Sequence, residues 1–135
     1  MSEENKTVVK RFVEEFQTSN DPAAFDELVA DDFVNHAAME GLPPGKAGVK
    51  VLFDVFRSAF DGFRAEIHDQ AAEDDKVWTR KSFYGTHTGD FMGIPATGKP
   101  IRIDVIDTVR VRHGRIVEHW GIVDQLGLMK QLGAL

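Results

Sequence analysis

Val8, Val9, Phe12, Val13 and Phe16 recur every three or four residues, so 5–19 predicts an amphipathic helix. "SNDP" at 19–22 breaks the pattern and restarts it, with Asp21 placed as an N-cap and Pro22 as the first helical residue. A second helix buries Phe25, Leu28 and Val29. "DDFVNH" (31–36) is short and extended, and it leads into the loop "AAMEGLPPG". A third helix over about 46–60 turns Val49, Leu52, Phe53, Phe56 and Phe60 inward. The period then changes from helical to alternating. Residues 63–73 and 77–88 predict strands joined at "EDDK", and 101–112 and 115–124 predict two more around "HG". Between these pairs lies "GDFMGIPATGKP" (89–100), long enough to suggest a functional loop. The tail "QLGLMKQLGAL" predicts a short helix. Helices followed by strands indicate an α+β domain with a mostly antiparallel sheet, spanning 1–135 as one unit.

The last two strands pose a problem of facing. A two-residue turn at His113–Gly114 sets Arg112 opposite Arg115 and Val111 opposite Ile116. Counting outward then pairs Val109 with Glu118, Asp107 with Trp120, Val105 with Ile122 and Ile103 with Asp124. This face is apolar except for three carboxylates, and it is the face that should meet the helices. His119 falls on the opposite, mostly polar face, with Ile106, Val117 and Val123. A longer turn or a bulge would shift these pairings.

Burying an unpaired carboxylate is costly, so the group raises its pKa or finds a partner. A cavity lined by acids accounts for the pattern better than a dry core. Glu118 would lie diagonal to Asp107, within ~8 Å, while Asp124 would sit ~13 Å along the strand from the Asp107–Trp120 level. Each residue also has a plainer reading. Glu118 could form a salt bridge with Arg80 or a helix lysine, and Trp120 could be core. His36 could be a packed or surface histidine, and His87, at the junction with the long loop, could be structural. Residues 77–87 carry apolar side chains on both parities, so the inward face of that strand, and with it the facing of Arg80, stays open.

Composition narrows the function. The net charge of −6 weighs against nucleic acid, and the arginines at 102, 110, 112 and 115 read as a solvated sheet face. The chain has no cysteine, which removes disulfides, thiolate metal sites and cysteine nucleophiles and fits a cytoplasmic setting. The first dozen residues lack a signal-peptide pattern, and no apolar run reaches the ~18 residues of a membrane span. The five histidines show no paired metal-ligand spacing. No serine sits in an elbow motif, and the lysine of "GIPATGKP" precedes Pro100 and a strand rather than a helix.

The segments "GTHTGDFMGIPATGKPI" (85–101), "D..R...GRIVEHW...D" (107–124) and "LGLMKQLG" (126–133), with "FVNH" (33–36), resemble the SnoaL-like polyketide cyclase or ester cyclase family. The resemblance implies a nuclear transport factor 2-like cone: a strongly curved mixed sheet around three N-terminal helices, enclosing a deep apolar pocket. It also implies intramolecular aldol cyclisation without cofactor or metal, with an aspartate of the closing strands as acid/base and histidine or polar groups assisting. By position that aspartate would be Asp124 or Asp107.

Aldol chemistry needs a base for the proton alpha to a carbonyl and a donor for the enolate or alkoxide. A carboxylate whose pKa is raised toward neutrality in an apolar pocket suits the base role. Asp124, Asp107 and His36 are therefore the candidate catalytic residues. Asn35, Trp120, Glu118, Arg80 and His87 are the candidate substrate contacts. The expected ligand is a small apolar carbonyl compound, and a homodimer through the outer sheet face is expected. Two classes of function remain: an enzyme (cyclase, isomerase or epoxide hydrolase) and a ligand-binding domain without turnover. A pocket acid with a raised pKa among converging polar groups would favour the enzyme. Acids neutralised by arginine or lysine would favour binding.

Overall fold

The computed structural model describes residues 2–135. Helix α1 (Ser2–Arg11) has Glu3 and Glu4 in its first turn and Lys10 and Arg11 in its last, which suits the helix dipole. It continues as a π-helix over Phe12–Thr18, so the long N-terminal helix expected from periodicity changes pitch midway. Val9, Val13, Phe16 and Gln17 are buried along this run. The Asp21 side chain accepts from the backbone N–H groups of Ala23 and Ala24, and Pro22 opens α2 (Pro22–Leu28) as expected. Strand β1 is Val29–Asn35, and α3 is Gly45–Ala59.

Four strands follow: β2 (Phe60–Glu73), β3 (Lys76–His87), β4 (Pro100–Arg112) and β5 (Arg115–Val123), with α4 (Gln125–Gln131) closing the chain. The sheet order is β1-β5-β4-β3-β2; β1 runs parallel to β5 and every other pair is antiparallel. The expected α+β cone with a mixed sheet over the N-terminal helices is what forms, and the sheet stays open. Its concave face carries Val77, Phe83, Ile103, Val105 and Val109 against the helices. Aromatic rings knit the layers together: Phe53 lies 5.7 Å from Phe83, and Phe56 lies 5.4 Å from Phe63, centroid to centroid.

The β4–β5 hairpin turns through His113 (φ 52°) and Gly114 (φ 74°), the two positive-φ positions of a type I′ turn. Arg112–Arg115 and Val111–Ile116 pair as expected. The ladder then slips: Arg110 pairs with Glu118, Val109 with His119, Thr108 with Trp120 and Asp107 with Gly121. Val117 is the extra residue of a β-bulge. Side chains alternate with a period of two, so one inserted residue reverses the facing of everything beyond it. The expected pairs Asp107–Trp120, Val109–Glu118, Val105–Ile122 and Ile103–Asp124 do not form. His119 turns in, and Glu118 and Trp120 turn out.

Candidate functional site

Asp107 is fixed by β4 on the concave face and is 5% exposed. Lys81 of β3 is 3% exposed, and its Nζ lies 2.8 Å from Asp107 Oδ2. Gln17, from the π-helical turn, offers Oε1 to the same ammonium at 3.3 Å. π-helical turns often mark functional sites, and this one holds a buried amide against a buried lysine. The bulge delivers His119 from β5, with Nε2 at 3.3 Å from Asp107 Oδ2. The parallel β1–β5 register sets Asn35 beside His119, and Asn35 Oδ1 lies 2.8 Å from His119 Nδ1. Asn35 Oδ1 also accepts the backbone N–H of Ala37, which identifies it as the oxygen. His119 Nδ1 therefore carries the proton and donates it, leaving Nε2 as the nitrogen facing Asp107.

Electrostatics follow from this packing. Burial pushes the Asp107 carboxyl up, but the Lys81 ammonium and, when its ring carries a second proton, the hydrogen bond and charge of His119 outweigh it, holding the group at about 2. The acid is thus kept ionised, the reverse of the raised pKa expected from sequence. Asp107 Oδ1 is buried with no hydrogen-bond partner among the described residues. Around this cluster the concave surface is apolar: Val9, Phe12, Phe33, Leu52 and Val105 border the same open space. That space reaches about 1130 Å³ and is also bordered by Trp78, Ile106 and Ile122 of the opposite sheet face, so it is not one closed chamber.

The other sequence-derived candidates stand outside this cluster, though Arg80, Trp120 and Asp124 border the same open space. Asp124 is an exposed N-cap of α4, accepting from the backbone N–H of Gly127. Glu118 is held on the convex face by His36 Nε2 at 2.9 Å and Arg110 Nε at 2.7 Å, and these bonds keep its carboxyl below the usual range. Its partner is Arg110 rather than Arg80 or a helix lysine. His36 stacks on Trp120 at 4.9 Å. Arg80 also faces outward and pairs with Asp69. His87 is fully buried, and its Nδ1 accepts the backbone N–H of Thr97, so it pins the long loop rather than lining the cleft. Of the candidates, only Asp107 and Asn35 join the cluster. His119, Lys81 and Gln17 were missed. Lys81 shares parity with Val77, Thr79 and Phe83, but the other parity is as apolar, so strand pattern alone could not turn it inward. Among the described residues, no three histidines or carboxylates stand close enough to hold a metal.

Helices laid in the concave face of an open, curved, mixed sheet, with acid, histidine and lysine converging there, define a cone fold of the nuclear transport factor 2-like kind. The sequence profile of the SnoaL-like polyketide cyclases matches residues 7–132, and the chain belongs to that family. It is 30% identical over 117 residues to the aklanonic acid methyl ester cyclase DauD of Streptomyces sp. (strain C5), covering 83% of this chain and 71% of that one. Among solved structures, wild-type IdmH from Streptomyces antibioticus superposes with a TM-score of 0.84 at 34% identity, over 96% of this chain and 98% of IdmH. TsrD from Streptomyces laurentii superposes with a TM-score of 0.88 at 26% identity, over 98% and 97%. No helix among the described residues is long and apolar enough to cross a membrane.

Proposed function

We propose that this chain closes a ring in a small, largely apolar carbonyl compound by intramolecular aldol addition, with His119 rather than a carboxylate as the acid/base. The observation that carries the reading is the hydrogen bonding of His119. Asn35 fixes the proton on Nδ1, so Nε2 is the basic nitrogen. Its one lone pair takes the substrate proton with the ring swung slightly toward the cleft, and the ring then brings the new N–H back to Asp107 Oδ2, which lies 3.3 Å from Nε2 at rest. The surroundings thus stabilise the imidazolium, as a carboxylate does in other histidine-based sites. In the proposed step, Nε2 removes a proton alpha to one carbonyl, leaving an enolate. The Lys81 ammonium has three N–H donors; Asp107 and Gln17 take up two, and the third meets the enolate oxygen. The enolate carbon bonds to the second carbonyl carbon of the same molecule, and the new alkoxide takes the proton back from His119. The step is an isomerisation and consumes no co-reactant.

A second reading is ligand binding without turnover, favoured by the neutralisation of Asp107 by Lys81. One experiment separates the two. Aklanonic acid methyl ester, named for the relative DauD, is offered to the wild-type chain and to His119→Gln, and ring closure is followed by chromatography. Closure by the wild type and a loss on the order of 10²–10⁴-fold in His119→Gln supports the enzyme. Binding detected by calorimetry with no closure supports the second reading, and closure unaffected by His119→Gln refutes the assigned base.

We also propose a homodimer through the convex sheet face, where Trp78, Ile106 and Ile122 stand 38%, 55% and 78% exposed. On that face Arg110 is already held within the chain by Asp75 and Glu118.

A further inference from the structure

Gly121 lies directly across the β4–β5 ladder from Asp107, two residues beyond His119 on the same face. Its φ is not positive, so the backbone there suits any residue and does not itself call for glycine. The space does. A Cβ at 121 would stand 3.1 Å from His119 Cε1, 3.2 Å from His119 Nε2 and 3.2 Å from Asp107 Cβ. Cross-strand Cβ atoms ordinarily lie roughly 4.5–5.5 Å apart. The volume a side chain would fill is therefore shared by the Asp107 Cβ, drawn close across the ladder, and by the imidazole, folded back along its own strand to reach the carboxylate.

We propose that Gly121 is a positioning residue: its missing side chain lets the His119 ring lie across the strand and meet Asp107. The catalytic consequence rests on the acid/base reading above, but the geometric claim does not. A methyl group at 121 has two outlets. It can part the strands at the Asp107–Gly121 pair, or it can swing the ring outward. His119 is bordered by open cleft and its side chain is 25% exposed, so the ring yields at its two close contacts, and the Asp107 Cβ contact asks the strands to give by only a few tenths of an ångström. The ring then loses Asp107 while the sheet stays paired.

The test uses the whole chain labelled with ¹⁵N at histidine. Ring nitrogen shifts of His119 are compared in wild type, Asp107→Asn and Gly121→Ala. The expected result is that Gly121→Ala moves the Nε2 signal to the position seen in Asp107→Asn. A wild-type signal in a folded Gly121→Ala overturns the proposal. His119→Ala/Gly121→Ala covers the case in which the single variant does not fold. With the ring gone, the part of the methyl's cost that comes from the ring should vanish, and the penalty of Gly121→Ala should be clearly smaller in the His119→Ala background than in the wild type. If the methyl costs as much without the ring, or the double variant also fails to fold, glycine is needed by the strand pairing and the proposal falls. Turnover is the separate arm. With the His119 signal moved, kcat should fall roughly 10–100-fold with KM little changed. A moved signal with unchanged kcat leaves the positioning claim standing and removes the acid/base reading.

Discussion

Replacing Lys81 with methionine should reverse the way stability depends on acidity. The perturbation removes the ammonium 2.8 Å from Asp107 Oδ2 and keeps a flexible chain of similar length in a site that is 3% exposed. At that distance and an effective dielectric of 20, the attraction is roughly 6 kcal/mol, and desolvation of both ions offsets much of it. The depression of Asp107 from 3.8 to about 2 gives the net preference for the ionised form, roughly 2 kcal/mol. Because the folded value lies below the unfolded one, this contribution is complete above about pH 4 and disappears as the pH falls toward 2. In Lys81→Met the carboxylate keeps only His119 and becomes costly to bury. Breaking a buried pair on one side costs roughly 3–5 kcal/mol, expected here at pH 7. The folded pKa of Asp107 then rises above its unfolded value, so the variant regains stability as the pH falls from neutral toward 5, where the wild type stays flat. Urea unfolding between pH 3 and pH 8 measures both effects, and the midpoint at pH 7 should drop by about 2 M for an m-value near 2 kcal/mol/M. Lys81→Met/Asp107→Leu, which removes both charges, should recover most of the loss. A single variant within ~1 kcal/mol of wild type at pH 7, with a parallel pH profile, would refute the reasoning.

Asp124→Ala should remove the α4 N-cap, cost about 1 kcal/mol in thermal unfolding and leave turnover near normal; a large loss of turnover would move the chemistry to the end of β5. Ile106→Arg, at an exposed convex-face position, should give a monomer by light scattering if the chain dimerises there, with the fold unchanged by circular dichroism. A wild-type chain that is already monomeric at micromolar concentration counts against the interface itself.

What the sequence determined by itself was every element whose signal is local. Helical periodicity, the Asp21–Pro22 start and the His113–Gly114 turn depend on neighbouring residues, and all three form where their residue types require. Asp107 was also legible, because a carboxylate between Val105 and Val109 on a buried parity is anomalous wherever the strand pairs. Asn35 was named as well, and only the tertiary structure brought in His119, Lys81 and Gln17. Nothing between Ile116 and His119 marks Val117 as the inserted residue, yet that insertion turns His119 in and Glu118 and Trp120 out. Lys81 faces inward because β3 pairs with β4 in a register that puts Thr79 opposite Asp107, and Gln17 reaches it from a helix far away in the chain. A strand pattern has a period of two residues, so it specifies two alternating faces but not which one meets the helices. That choice is made by pairing and packing over the whole cone, and the make-up of the candidate site depends on it.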